Sequence, residues 1–309
     1  QLRAGLLSQA IDAGKHIYCE KPIAENLADA LAVAKKAKKA GIKHGVVQDK
    51  LFLPGLLKLK MLRDSGFFGR MLSVRGEFGY WVFEGDTVPA QRPSWNYRKE
   101  DGGGMTTDMF CHWNYVLEGI VGKVKSVNAK TATHIPARWD EAGKEYKATA
   151  DDASYGIFEL ETPGGDEVIG QINSSWAVRV YRDELVEFQV DGTEGSAVAG
   201  LHKCWSQHRV NTPKPVWNPD VPTDQDFRGQ WEEVPDNQEF TNGFRAQWEE
   251  FLRDVHAGRP HPYDFDAGVR GLRLVDAGYT SSREGRRVEL GASSYPGSEA
   301  LGSASGAGA

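Results

Sequence analysis

The sequence predicts a two-part protein: the C-terminal part of a doubly wound α/β domain (about residues 1–65), then a large, mostly antiparallel open-sheet domain (about residues 66–290). Three observations predict it. A strand–helix–strand unit stands near the start, as in a parallel βαβ. After Arg70 the chain changes to short runs of strand character separated by loops. With 309 residues, 40% hydrophobic and 26% charged, the composition is ordinary for globular proteins and the length fits about two domains.

Each element follows from local chemistry. Leu2, Leu6, Leu7, Ala10 and Ile11 recur at helical spacing, so 1–13 reads as a helix that Gly14 stops. A chain that opens inside a helix looks cut in mid-domain. Lys15–Cys19 (KHIYC) is short and partly apolar and reads as a buried strand. Asn26 is placed to cap the next helix, with Asp29 three residues on. Leu27, Ala30, Leu31, Ala34 and Ala37 form its apolar stripe. Lys35, Lys36, Lys38 and Lys39 read as its solvated side and end, where the helix dipole favours cations. Gly41 stops that helix, and Ile42–Gln48 reads as the second strand. A helix over about 55–64 follows Pro54. Strands are expected at 71–80, 124–133, 154–160, 167–176, 184–190 and 195–199, with Thr162–Asp166 (TPGGD) as a hairpin turn. Helical spacing returns at 105–118, 242–257 and 267–282, and these helices are expected to cover one face of the sheet. The Pro-, Asn- and Asp-rich stretch 210–234 reads as an irregular excursion, and the Gly/Ala/Ser tail 291–309 as disordered.

Composition excludes several functions. The net charge of −6 gives no general electrostatic footing on nucleic acid or anionic lipid. No run of about 18 apolar residues is present to span a membrane, and no signal-peptide pattern opens the chain. Cys19, Cys111 and Cys204 are dispersed and odd in number, with no disulfide framework or zinc spacing. No metal site is expected, and a reducing, cytoplasmic setting is.

Three groups of residues could carry chemistry. Glu20-Lys21-Pro22 stands at the C-terminal end of the first strand, the edge at which open α/β sheets bind ligands. Spacing alone leaves open whether Lys21 points into a cleft or is merely solvated. Gly102-Gly103-Gly104 precedes a helix on which Asp108 and His112 are four residues apart and share a face, with Tyr115 one turn beyond. The carboxylate is expected to hold the imidazole tautomer as a general-base dyad; a surface pair is the plain alternative. Trp95, Tyr97 and Arg98 lie just before the glycines and read either as the wall of a polyol site or as a packed loop.

These segments resemble a known family. AGKHIYCEKPIAENLADA (13–30) is similar to the Glu-Lys-Pro signature of the Gfo/Idh/MocA oxidoreductases, and GGGMTTDMFCHW (102–113) to their Gly-rich turn with Asp-x-x-x-His. VDGTEGS (190–196) and SSREGRRVEL (281–290) resemble the family's late sheet and C-terminal ending. Order and separation agree over about 1–290. The resemblance implies a Rossmann nucleotide domain before the open sheet, with NAD or NADP between them. It implies that Lys21 contacts the nicotinamide side and the reacting hydroxyl, that His112 is the general base and that Asp108 orients it. Glu20, Lys21, Pro22 and Gln48 are the implied cofactor contacts, although Gln48-Asp49-Lys50 departs from the Asn-x-Arg-like start common in the family. No GxGxxG occurs, so the pyrophosphate turn and the residue that selects NAD from NADP fall outside these residues; this polypeptide is therefore expected to bind dinucleotide poorly.

The expected function is hydride transfer between a nicotinamide cofactor and a hydroxyl carbon of a sugar, polyol or glycoside. Trp95, Tyr97, Arg98, Asn173 and Trp176 are the expected substrate wall. An NAD-dependent glycoside hydrolase and a non-catalytic sensor on the same scaffold are the alternatives. A homo-oligomer, dimer or tetramer, is expected because a large open sheet leaves apolar surface to cover.

Overall fold

The computed structural model describes residues 2–82 and 92–291. The expected disordered tail therefore lies, beyond Gly291, outside the described residues. Helix α1 (Arg3–Asp12), strand β1 (Ile17–Cys19), helix α2 (Leu27–Ala40) and strand β2 (His44–Val46) form the first unit. β1 and β2 pair in parallel, Ile17 opposite His44 and Cys19 opposite Val46. Asn26 caps α2 as its sequence requires: its side chain accepts from the Asp29 N–H at 2.9 Å. Gly41 ends α2 in the left-handed region at φ 66°. Leu7 and Ile11 of α1, and Ala30, Val33, Ala34 and Ala37 of α2, are buried, while Lys36 reaches out to Asp12 at 2.7 Å.

A 3₁₀ turn over Asp49–Phe52 leads into α3 (Pro54–Asp64), where Pro54 opens the helix at a position needing no N–H bond. The strands that follow are β3 (Met71–Gly79), β4 (Lys123–Ala132), β5 (Ala137–Trp139), β6 (Glu145–Lys147), β7 (Ala153–Glu161), β8 (Glu167–Ser175), β9 (Val186–Gly192), β10 (Gly195–Ala199), β11 (Cys204–His208), β12 (Glu232–Glu233) and β13 (Val288–Glu289). Among the described residues nine of them form one open sheet in the order β12-β11-β10-β9-β3-β8-β7-β4-β13. Every pairing in it is antiparallel except β3 with β8. The turn at 162–166 joins β7 to β8 as a hairpin, with Glu161 opposite Glu167.

Helices α4 (Met105–Ile120), α5 (Gly243–His256) and α6 (Phe265–Glu284) complete the chain. α4 is buried around most of its circumference because it lies between the sheet and α6. Its Trp113 is fully buried, meets Phe78 and Phe188 edge-on, and donates its indole N–H to Ser174 Oγ at 2.9 Å. On the other face of the sheet, Tyr155 and Ile157 of β7 and Ile169 of β8 are exposed.

Five strands were not legible. β5 and β6 carry Arg138, Glu145 and Lys147 in three-residue runs, too short for an alternation to show. β11 (CWSQH) lies toward the sheet edge with mixed side chains, and β12 and β13 are two-residue edge pairings. Among the described residues no helix is long and apolar enough to cross a membrane.

Candidate active site

The site forms where the end of β1 meets the start of α4. Two features of the sequence fix that start. Gly104 has φ +126°, and a Cβ there would stand 2.6 Å from Tyr279 Oη and 2.7 Å from Asp151 Oδ1, so no larger residue fits without displacement. Gly104 also brings no capping side chain. Asp151 substitutes: its Oδ2 accepts from the Thr106 N–H at 2.8 Å and the Thr106 hydroxyl at 2.7 Å, and its Oδ1 from Tyr279 at 2.8 Å. The first turn of α4 is thus held from a distant part of the chain, and Asp108 sits on that turn.

Lys21 follows β1, and its bond to Pro22 is cis. Its ammonium donates to Asp108 Oδ1 at 2.5 Å and to the Asp108 main-chain oxygen at 2.9 Å. Arg92 approaches Asp108 Oδ2 at 3.5 Å while bonding Tyr80 Oη at 3.0 Å and Asn96 Oδ1 at 3.1 Å, and lies over the Trp176 ring at 4.4 Å. Burial alone would raise the Asp108 pKa; the charges of Lys21 and Arg92 outweigh it and hold the carboxyl below its usual range.

Asp108 is therefore not the partner of His112, and the expected dyad is corrected. Its two oxygens face Lys21 and Arg92 instead. His112 Nδ1 lies 2.6 Å from Tyr115 Oη, and Tyr115 donates to Asp49 Oδ1 at 3.0 Å. On the other side of the ring, Lys50 Nζ is 3.3 Å from Nε2. Burial, then the charges of Lys21 and Lys50, push the His112 pKa well below the ordinary 6.5, so the imidazole is neutral at pH 7. Lys21 is held on Asp108, four residues before His112 on α4, so the ammonium and the imidazole stand one helical turn apart along that helix.

A cavity of about 490 Å³ opens here, lined among others by Arg3, Lys21, Pro22, Trp95, Gly103 and Asp108. Its size is that of a small-molecule site. His112 lies one helical turn deeper on α4, outside that wall. Lys21 and Pro22 stand in the wall, Glu20 is exposed beside it, and the glycine run presents backbone rather than side chains to it. These residues fit the flat amide-bearing end of a nicotinamide nucleotide beside an alcohol.

The expected substrate wall is mostly corrected. Trp95 lines the cavity, half exposed. Tyr97 and Trp176 are buried against each other edge-on at 5.4 Å, and Arg138 covers the Tyr97 ring at 3.7 Å, so both are packing. Arg98 stacks on Tyr146 at 4.4 Å, outside the wall. Asn173 pairs with Glu77 at 3.2 Å and stands opposite the exposed Tyr155, on the sheet face away from α4. Gln48 is buried, and its N–H donates to Gln247 at 2.9 Å; it seats the 3₁₀ turn rather than reaching the cavity. Asp49, Lys50 and Arg92 had no local signal; tertiary packing alone brings them in.

The fold has counterparts. Residues 2–47 match a family model described as an oxidoreductase family with an NAD-binding Rossmann fold, and residues 56–198 match the GFO/IDH/MocA C-terminal domain. The chain is 72% identical over 289 residues to a D-xylose dehydrogenase of Paenarthrobacter nicotinovorans, covering 94% of this chain and 74% of that protein. It is 31% identical over 212 residues to a levoglucosan dehydrogenase of Pseudarthrobacter phenanthrenivorans, covering 64% of this chain and 52% of that protein. Among solved structures, a levoglucosan dehydrogenase in complex with NADH and L-sorbose superposes with a TM-score of 0.76 at 22% identity, over 94% of this chain and 77% of that one, a likeness of fold. With the Glu-Lys-Pro turn between β1 and α2 of the first unit and Asp108 and His112 on the buried helix against the large sheet, the chain belongs to the Gfo/Idh/MocA family of oxidoreductases.

Proposed function

We propose that this chain carries the catalytic groups of an NAD(P)-dependent dehydrogenase that oxidises a sugar hydroxyl, with an aldopentose such as D-xylose as the first substrate to test. The observation that carries this reading is a fixed ammonium beside a buried imidazole: Lys21 is held on Asp108 of α4, one helical turn from His112, which burial and then the nearby cations keep neutral. The identity of 72% to a D-xylose dehydrogenase supports the substrate class.

Bound NAD(P) supplies the hydride acceptor for the carbon–hydrogen bond. The chain supplies position and charge. Lys21 and Pro22, with Glu20 beside them, are placed for the nicotinamide side. Lys21 donates to the reacting oxygen, and its charge favours the alkoxide character that develops as the hydride departs. His112 takes the hydroxyl proton at Nε2, leaving a carbonyl carbon. Asp108 keeps the Lys21 ammonium aimed. Trp95 offers an apolar face at the mouth of the cavity. The three cysteines are free, which fits a reducing cytoplasm. The exposed apolar residues of the sheet favour a homo-oligomer.

The test is formation of reduced cofactor at 340 nm by the full-length protein with NAD⁺ or NADP⁺ and a sugar panel led by D-xylose. Reduced cofactor with an aldose is expected. Its absence with every sugar would contradict the reading, and release of sugar from chromogenic glycosides without net reduction would replace it by a hydrolase.

A further inference from the structure

The imidazole of His112 is embedded in contacts that the oxidoreductase reading does not use. An ammonium has donors only, so Lys50 Nζ at 3.3 Å requires Nε2 to be the accepting nitrogen. Nδ1 then carries the proton and donates to Tyr115 Oη at 2.6 Å. The phenol passes its own hydrogen to Asp49 Oδ1 at 3.0 Å, and its oxygen also accepts from the Lys50 main-chain N–H at 3.4 Å. Asp49 Oδ1 lies 3.8 Å from Nδ1, too far for a direct bond, so the phenol is the link. Asp49 Oδ2 is in turn 3.4 Å from Lys50 Nζ, which closes the circuit. Lys50 at Nε2 and the Tyr115–Asp49 link at Nδ1 specify the same tautomer.

We infer that Asp49 and Tyr115 are positioning residues that form a carboxylate–phenol relay holding His112 as the Nδ1–H tautomer, and that Lys50 marks and guards the Nε2 lone pair that receives the substrate proton. The role of that lone pair rests on the dehydrogenase reading; the tautomer does not. When Nε2 takes the hydroxyl proton, the new positive charge on the ring is stabilised through Tyr115 by Asp49. No electron transfer occurs within the relay. The hydroxyl and Lys50 compete for one lone pair, so the ammonium shifts from Nε2 as substrate arrives.

The charged and titratable groups around the ring are Tyr115 on α4, Asp49 and Lys50 on the 3₁₀ turn, and Lys21 after β1; Asp108, on α4, faces Lys21 instead. Their signs give opposite predictions. Removing the Lys50 charge raises the His112 pKa, and removing the Asp49 charge lowers it.

The experiment is ¹⁵N-imidazole NMR of the full-length protein labelled at histidine, with His112 identified by loss of its signals in His112→Asn. The wild type is expected to show the Nδ1–H tautomer, still unprotonated at pH 6. Tyr115→Phe, which keeps the ring, is expected to give mixed tautomers and, with D-xylose, a kcat lowered about 10²-fold, the low end of a general-base contribution, with KM changed much less. Lys50→Met is expected to move the acid limb of kcat/KM to higher pH and Asp49→Asn to lower pH. A wild-type His112 protonated at Nε2, or a Tyr115→Phe protein with an unchanged tautomer and acid limb, overturns the relay. If no sugar is oxidised, the dehydrogenase reading fails while the wild-type spectrum still decides the relay.

Discussion

Lys21 is a residue whose position, more than its identity, makes it chemically useful. A lysine at a strand end ordinarily explores solvent, but two oxygens of Asp108 fix this one. His112 owes its basic form to burial and to two neighbouring cations, which together disfavour the imidazolium. The sign of its pH dependence follows. With the pKa depressed below 6.5, the base stays unprotonated well into the acid range. The kcat/KM for sugar oxidation should hold constant down through pH 6.5 and fall only below it, as measured by initial rates across the acid range. An acid limb at or above pH 6.5 would mean that the imidazole is solvated or is not the base. The three residues Lys21, Asp108 and His112 were legible because Pro22 and the glycine run frame them with backbone signals. Their pairing was not. An i,i+4 spacing places Asp108 and His112 on one helical face but cannot reveal that Lys21 claims the carboxylate, or that Asp49 reaches Tyr115 from 66 residues away.

The element that matters most is α4, and its start is the point at which local sequence and tertiary structure meet. Gly104 cannot cap the helix with a side chain, and Asp151 performs that function across the fold. In Gly104→Ala the new methyl group would collide with Tyr279 Oη and Asp151 Oδ1, in a backbone conformation that L-residues rarely adopt. This variant should lose about 1–3 kcal/mol of stability, read as a lower denaturant midpoint. It should also lose activity beyond what the stability loss explains, because Asp108 rides on the displaced turn. Wild-type activity and midpoint together would show that the glycine is incidental. At this scale the long helices and strands followed from spacing and caps, since Asn26, Gly41 and the 162–166 turn act locally. β5, β6 and β11 did not, because a short pairing at or next to a sheet edge is chosen by its neighbour rather than by its own alternation.

At the scale of the whole molecule, the nine-stranded sheet is covered by helices on one face, while the other presents Tyr155, Ile157 and Ile169 to solvent. They come from the adjacent strands β7 and β8, where Ile157 and Ile169 are diagonal neighbours and the direct cross-strand partners are Asn173, Gln171 and Glu159. A homo-oligomer through this face is expected from light scattering behind size exclusion. Ile157→Lys should shift it to a smaller species, and an unshifted mass would point to a different surface. The account as a whole depends on Lys21 and His112 acting on the same alcohol, although 91 positions separate them in the sequence. The measurement that tests this most directly is a double-mutant cycle on the turnover of D-xylose by the full-length protein with Lys21→Ala, His112→Ala and both. Groups that act together on one bond give non-additive losses. Each single variant should lose about 10²-fold or more in kcat, and the double variant little beyond the worse single. Fully multiplicative losses, or a single variant that turns over like the wild type, would contradict it.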